Sequence, residues 1–166
     1  MEFDGEKVQK TDGGTFSVKK EHQIATYADF CNECGNCDVF CPEDGGPFIE
    51  KPRFFSSIET FKLYSDEDGF FVYRNGKKDV ILARGAGREY ELIQNEDGID
   101  NFGDGKIAST IKSENGEIKS AEANSDCPDG HKLSLKTYYV MKILLNSVTS
   151  SGSTNFVRTV LEESAV

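Results

Sequence analysis

Four of the five cysteines in this 166-residue chain fall within eleven positions, in the stretch "CNECGNCDVFCP" (31–42). Their spacing, Cys31-x2-Cys34-x2-Cys37-x3-Cys41-Pro42, is one with which thiolates wrap an iron–sulfur cluster. A [4Fe–4S] cube needs sulfurs converging on the corners of one small body. Two-residue spacers let a short loop present one sulfur after another. Gly35 sits where such a wrap calls for positive φ or close backbone approach. Backbone amides of the loop can donate to cluster sulfurs, and Phe30, Val39 and Phe40 are placed to form part of an apolar shell. The expected ligands are Cys31, Cys34, Cys37 and Cys41.

Other uses of the four thiols remain open. Zinc ribbons set two C-x2-C pairs far apart, unlike this run, although zinc on four contiguous thiols is chemically possible. Disulfides fit poorly, because the loops are very short and a reduced compartment is expected. The fourth corner of a cube is a separate question. In two-cluster ferredoxins the Cys-Pro cysteine of each run serves the other cluster. One run alone then supplies Cys31, Cys34 and Cys37, with Cys41, Cys127 or a thiol from outside the chain completing the set. Cys127 also precedes a proline, but "SDCPDG" (125–130) reads equally as a turn with an incidental thiol.

The elements that must position this run are legible to different degrees. Residues 1–20 are polar with weak periodicity, a lead-in or at most a short hairpin. "HQIATYADF" (22–30) is extended or loosely helical, and "PEDGGPF" (42–48) terminates any helix. From 54 to 123, Asp-Gly and Asn-Gly dipeptides recur between short apolar runs such as "FFVYR", "DVILAR", "EYELIQ" and "KIASTI". Such dipeptides tolerate the positive φ of hairpin turns, so the region predicts an antiparallel meander of five or six strands, with "RNGKKDV" the clearest hairpin. No βαβ alternation of the kind a nucleotide-binding sheet shows is visible. Leu135, Tyr138, Met141, Leu145 and Val148 recur at helical spacing behind Ser134, which predicts a helix over 134–148. "NFVRTVLEE" (155–163) fits a strand or a helical turn.

Composition bounds the function class. Hydrophobic residues make up 37% and charged residues 29%, a globular balance, and the net charge is −10. Acidity of that size argues against a nucleic-acid partner; it serves solubility or steers toward a basic redox partner. No stretch is apolar enough to span a membrane, and the acidic start lacks the apolar core of a secretory signal. A cytoplasmic location is therefore expected, where clustered cysteines hold metal or do redox work. No catalytic constellation is visible. His22 and His131 read as surface residues, and the carboxylates Glu43, Asp44, Asp66, Glu67, Asp68, Glu96 and Asp97 fall in turns. Tyr138 and Tyr139 read as core, and "ARGAGRE" (83–89) as a hairpin turn rather than a dinucleotide loop.

The longer stretch "YADFCNECGNCDVFCPEDGGPFIEKPRFF" (27–55) resembles the C-terminal iron–sulfur region of the selenate reductase-type iron–sulfur/FAD-binding subunit family. That family is similar in layout to the glutamate synthase small subunit and to dihydropyrimidine dehydrogenase. The resemblance rests on "FCNECGNC", "FCPEDG" and the Pro-Phe-x-x-Lys segment, about 30 residues in all. It implies that Cys31, Cys34, Cys37 and Cys41 form the second run of a two-cluster module. It further implies that FAD and NAD(P)H are bound on an upstream portion or a partner subunit, not on this chain.

The resulting expectation is an α+β chain with two parts. Residues 1–53 form a short ferredoxin-like 4Fe–4S segment with its polar lead-in, and 54–166 a β-rich domain with a C-terminal helix. Its expected role is electron transfer within a multi-component flavin/iron–sulfur oxidoreductase, the alternative being a metal-stapled subunit-interaction module without redox function.

Overall fold

The computed structural model describes residues 1–19, 25–40, 51–150, 152 and 155–163. The predicted hairpin dipeptides build the centre of the fold. Six consecutive antiparallel strands run from β5 (Gly69–Asn75) through β6 (Lys78–Gly85), β7 (Arg88–Gln94), β8 (Ile99–Gly103) and β9 (Ile107–Lys112) to β10 (Ile118–Ala123). At the β6–β7 turn Ala86 and Gly87 both have positive φ, 52° and 72°, so "ARGAGRE" is a hairpin turn, as expected of a glycine pair between two strands, with Ala86 in a region alanine rarely adopts. Cross-strand register stacks the core in a row: Ile81 faces Leu92, and Leu92 faces Phe102.

Helix α3 is Leu135–Thr149, one residue displaced from the sequence expectation. (It is preceded here by α1 Asn36–Phe40 and α2 Ile58–Leu63, and followed by α4 Phe156–Glu163.) Tyr138, Met141 and Leu145 lie on one stripe of α3 and are fully buried against the sheet, with Leu135 and Val148 packed at its ends. Burying side chains of this size contributes about 1.5–3 kcal/mol each. Ser134 occupies the N-cap position in extended conformation, but its side chain makes no capping bond. The ambiguous segment 155–163 resolves as α4, whose Val157 and Leu161 join the same core.

The sheet is larger than a meander. Among the described residues it has eight strands in the order β10-β9-β8-β7-β6-β5-β4-β3, and its last two, β4 (Arg53–Phe55) and β3 (Thr26–Tyr27), are parallel to β5. This corrects two expectations: residues 54–68 are not antiparallel meander, and strand–helix–strand crossovers are present at this edge. Parallel neighbours cannot be joined by a tight turn. The β4–β5 crossover carries α2, closed at its start by a reciprocal Ser57–Thr60 capping box. The β3–β4 crossover carries the cysteine run. Strand β4 straddles the 53/54 division that the sequence suggested.

The opposite sheet face is covered by a smaller cluster of Phe55, Phe61 and Phe71 under α2. Arg84 holds this helix down. Its buried guanidinium donates to the carbonyls of Phe61 (2.8 Å), Tyr64 (2.9 Å) and Glu67 (3.1 Å), pairs with Glu89, and lies 4.2 Å above the Phe61 ring. The lead-in does form a hairpin, β1 (Glu2–Phe3) with β2 (Val8–Gln9), docked through Phe3 and Met1 onto His131 and Leu133.

Candidate functional site

The cysteine run begins where β3 ends. A 3-10 turn, Ala28–Phe30, follows β3, and the amide of Cys31 donates to the Ala28 carbonyl at 3.0 Å. Two ties fix this turn to the sheet: the amide of Thr26 donates to the Pro52 carbonyl, and the Asp29 carboxylate accepts from the Ser56 amide at 2.8 Å and the Ser56 hydroxyl. The Tyr27 phenol is pushed up to about 12, first by burial and then by the Asp29 charge. The chain then turns tightly. The side chain of Asn32 accepts from the amide of Cys34 at 3.3 Å, and Glu33 and Gly35 are both left-handed, with φ of 54° and 75°. Gly35 meets the expectation of positive φ; Glu33 adds a non-glycine residue in that rarely adopted region. Cys37 lies on the short helix α1.

Of the expected ligands, Cys34 is exposed, Cys31 and Cys37 are half-buried, and all three carry free thiols. Cys41 lies outside the described residues, as do His22, Glu43 and Asp44. Among the described residues, no three His, Cys, Asp or Glu side chains stand close enough to hold one metal ion. The described thiols and the left-handed turn thus fit an iron–sulfur cluster in donor chemistry and loop conformation, not in convergence. The expected apolar shell needs correction. Phe30, Val39 and Phe40 are 70%, 77% and 83% exposed. Phe30 does stack on Tyr27 (5.3 Å between ring centroids) and meets Phe156 of α4 edge-on (5.0 Å), but this aromatic trio lies at the surface.

Cys127 belongs to no group of three metal-ligating side chains among the described residues. It follows β10 in a turn, its amide donating to the Asn124 carbonyl, and packs against the main core. Desolvation, then the charges of Asp104 and Asp126, push its thiol up. The reading of His131 as a surface residue is also corrected: its Nε2 is 2.7 Å from Oδ2 of Asp104, and both side chains are largely buried. Tyr138 is core as expected, and its hydroxyl donates to the buried Asp100 at 2.6 Å.

Of the turn carboxylates, Asp97 serves its own turn, while Asp68 and Glu96 reach across to neighbouring turns. Asp97 accepts from the amide of Ile99 and Asp68 from that of Ala86, and Glu96 pairs with Lys77. Glu67 instead pairs with Arg53, whose guanidinium also reaches Glu33 in the cysteine turn at 3.6 Å. Arg53, Glu67, Glu33 and Cys31 line one cavity of about 260 Å³, with Tyr64 and Phe55 at its walls. This set leaves almost no trace in the sequence. The available signal was a single cation, Arg53, in the otherwise apolar "PRFF" that follows the run.

Two curated proteins match part of the chain, both named "Putative oxidoreductase YgfK", from Escherichia coli strain K12 and from Escherichia coli O157:H7. Each is 46% identical over 43 residues. That match takes in 26% of this chain and 4% of the relative, so the chain spans only a small part of the relatives it resembles. No protein-family model and no solved structure matches the chain.

Proposed function

We propose that the chain is an electron-transfer part of a larger oxidoreductase, and that Cys31, Cys34, Cys37 and Cys41 hold a [4Fe–4S] cluster. The observation that carries this reading is the run itself: four thiols at cluster-wrapping spacing in a parallel crossover, with left-handed residues at 33 and 35 and no described thiol in a disulfide. The partial similarity to a protein named as an oxidoreductase adds to it. The cluster, when bound, supplies one-electron chemistry. The chain's own residues hold the thiols on a turn braced by Asp29, Ser56 and Arg53. Flavin and NAD(P)H belong, in this reading, to an upstream portion or a redox partner subunit, and the protein works in the cytoplasm. Selenate reductase-like chemistry of the whole assembly is part of the same proposal. Among the described residues no helix is long and apolar enough to cross a membrane.

Anaerobic purification followed by iron and acid-labile sulfide analysis tests the reading. Equal iron and sulfide, with loss of both on Cys34→Ser, is the expected result. Zinc without sulfide makes the loop a metal staple in a subunit-interaction module and overturns electron transfer.

A further inference from the structure

The face of the large sheet opposite α3 is only half covered. The cluster under α2 reaches as far as Leu82 on β6. Farther on, Glu91, Ala108, Ser120 and Glu122 are exposed. Register puts these side chains on one face. Leu82 pairs with Glu91, Glu91 with Gly103, Gly103 with Ala108 and Ala108 with Glu122, while Thr110 pairs with Ser120 in the adjoining row. Gly103 and Ala108 bring almost no side chain to the row, so its middle sinks into a groove of about 720 Å³, with Phe61 at the α2 end. The floor must stay low, because a Cβ on Gly103 would lie 2.7 Å from the Ile107 carbonyl oxygen.

Charge separates this groove from the rest of the sheet. Three carboxylates on the strands have cation partners: Asp79 with Arg74 at 2.8 Å, Glu89 with Arg84 at 3.0 Å and Asp100 with Lys142 at 3.3 Å. The other two on those strands are Glu91 and Glu122, at the two sides of the groove floor. Among the described residues neither meets a cation, and no lysine or arginine lines the groove. Burial, then the Glu91 charge, push the Tyr73 phenol up, so that charge is felt across the face. A solvated sheet face needs only polar side chains; this one also holds two uncompensated charges over a trough.

We propose that the groove docks an extended segment of a partner protein that carries two lysines or arginines four residues apart and crosses the strands. Glu91 and Glu122 stand three strand spacings apart, about 14 Å along the backbone row. In an extended chain, side chains on one face recur about every 6.8 Å, so cations at i and i+4 also span about 14 Å. The residue between them passes over Gly103 and Ala108. Thr110 and Ser120, hydrogen-bonded to each other at 2.7 Å, supply hydroxyls along one rim. The net charge of −10 draws a cationic partner in from a distance. Nothing in this docking depends on what the cysteine run holds.

NMR titration of the isotope-labelled full chain tests the docking. The probe is a synthetic peptide with two lysines four residues apart in a threonine–alanine background; its counterpart carries glutamates in their place. Shifts confined to amides of β7–β10 are expected with the first peptide, and none with the second. Glu91→Gln together with Glu122→Gln should weaken binding about fivefold, as two exposed ion pairs allow. Ala108→Phe fills the floor without changing charge and should weaken it as well. Removing two carboxylates elsewhere, Glu6→Gln with Glu114→Gln, should leave binding within about twofold, because distant exposed charges are screened. No binding, shifts spread over the surface, unchanged affinity in the groove variants, or an equal loss in the Glu6/Glu114 control overturns the proposal. So does spermidine acting on the same amides as tightly as the peptide, since the groove then takes a small polyamine. If the double groove variant fails to fold, Glu91→Gln alone and Ala108→Phe decide.

Discussion

The meander and the cysteine crossover are held by different physics. Strands β5–β10 and α3 are joined by short turns and buried through contiguous apolar rows: Ile81, Leu92 and Phe102 from the sheet, Tyr138, Met141 and Leu145 from the helix. Among the described side chains from 28 to 40, the crossover between β3 and β4 contributes none that is fully buried. It is positioned by discrete polar ties: Asp29 to Ser56, Asn32 to Cys34, Arg53 to Glu33 and Glu67. Between them stands α2, which is apolar toward Phe55 and Phe71 but pinned through its carbonyls by Arg84. A region organised by burial needs no ligand to have a shape. One organised by a few polar ties can present its thiols outward, and gains stability from whatever it binds.

Substitutions should separate the two regions. The largest loss of stability is expected in the first: Phe102→Ala removes a fully buried ring and should cost about 3–5 kcal/mol in chemical denaturation. Arg84→Met strikes the junction. It removes the guanidinium from the carbonyls of Phe61 and Glu67 and one of two donors from that of Tyr64, and should cost about 2–3 kcal/mol. A loss as large as that of Phe102→Ala would make α2 part of the main core and erase the distinction. Ser57→Ala opens the capping box and should cost about 1 kcal/mol. Cys34→Ser, in the second region, should leave apo-protein stability within about 0.5 kcal/mol, because the residue is exposed, while abolishing iron loading. A large apo destabilisation there would contradict the view that the crossover contributes little burial. The ligand question has its own readout. Cys41→Ser and Cys127→Ser, compared by iron content, show which thiol, if either, completes the set.

The smallest effect concerns the exposed end of the meander. Glu117 accepts from Lys112 and Lys119, and these bonds hold its carboxyl down to about 2, from the usual 4.5. A carboxyl depressed in the folded state adds stability that is present above its unfolded value and lost as pH falls through its folded one. The contribution should therefore disappear between about pH 4.5 and about 2. Glu117→Gln should flatten the fall in Tm across that window slightly, and added salt should do the same to the parent.

The contrast between regions also explains what could be read in advance. Hairpins at Asn75-Gly76 and Ala86-Gly87 depend on local φ preferences, and α3 on a repeat of apolar residues; both leave a periodic trace. The strands β3 and β4 have two and three residues, too short for any period, and their parallel pairing joins segments 27 residues apart, as in Thr26↔Arg53. Helix α2 leaves little trace although Ser57-x-x-Thr60 resembles a capping signal, because six residues carry barely two turns of pattern. The surface assignment of His131 failed for a related reason: its partner, Asp104, is 27 residues away.

Sequence alone determined the α+β class, the hairpin turns, the long helix and the donor chemistry of the cysteine run, because each follows from residue type and near-neighbour spacing. Tertiary structure decided where that run sits: in a parallel crossover at the sheet edge, with Phe30 and Phe40 turned to solvent and Arg53 paired with Glu33 and Glu67 at a cavity that Cys31 also lines. Those placements depend on contacts between residues distant along the chain, whose free energy appears only when the sheet has formed.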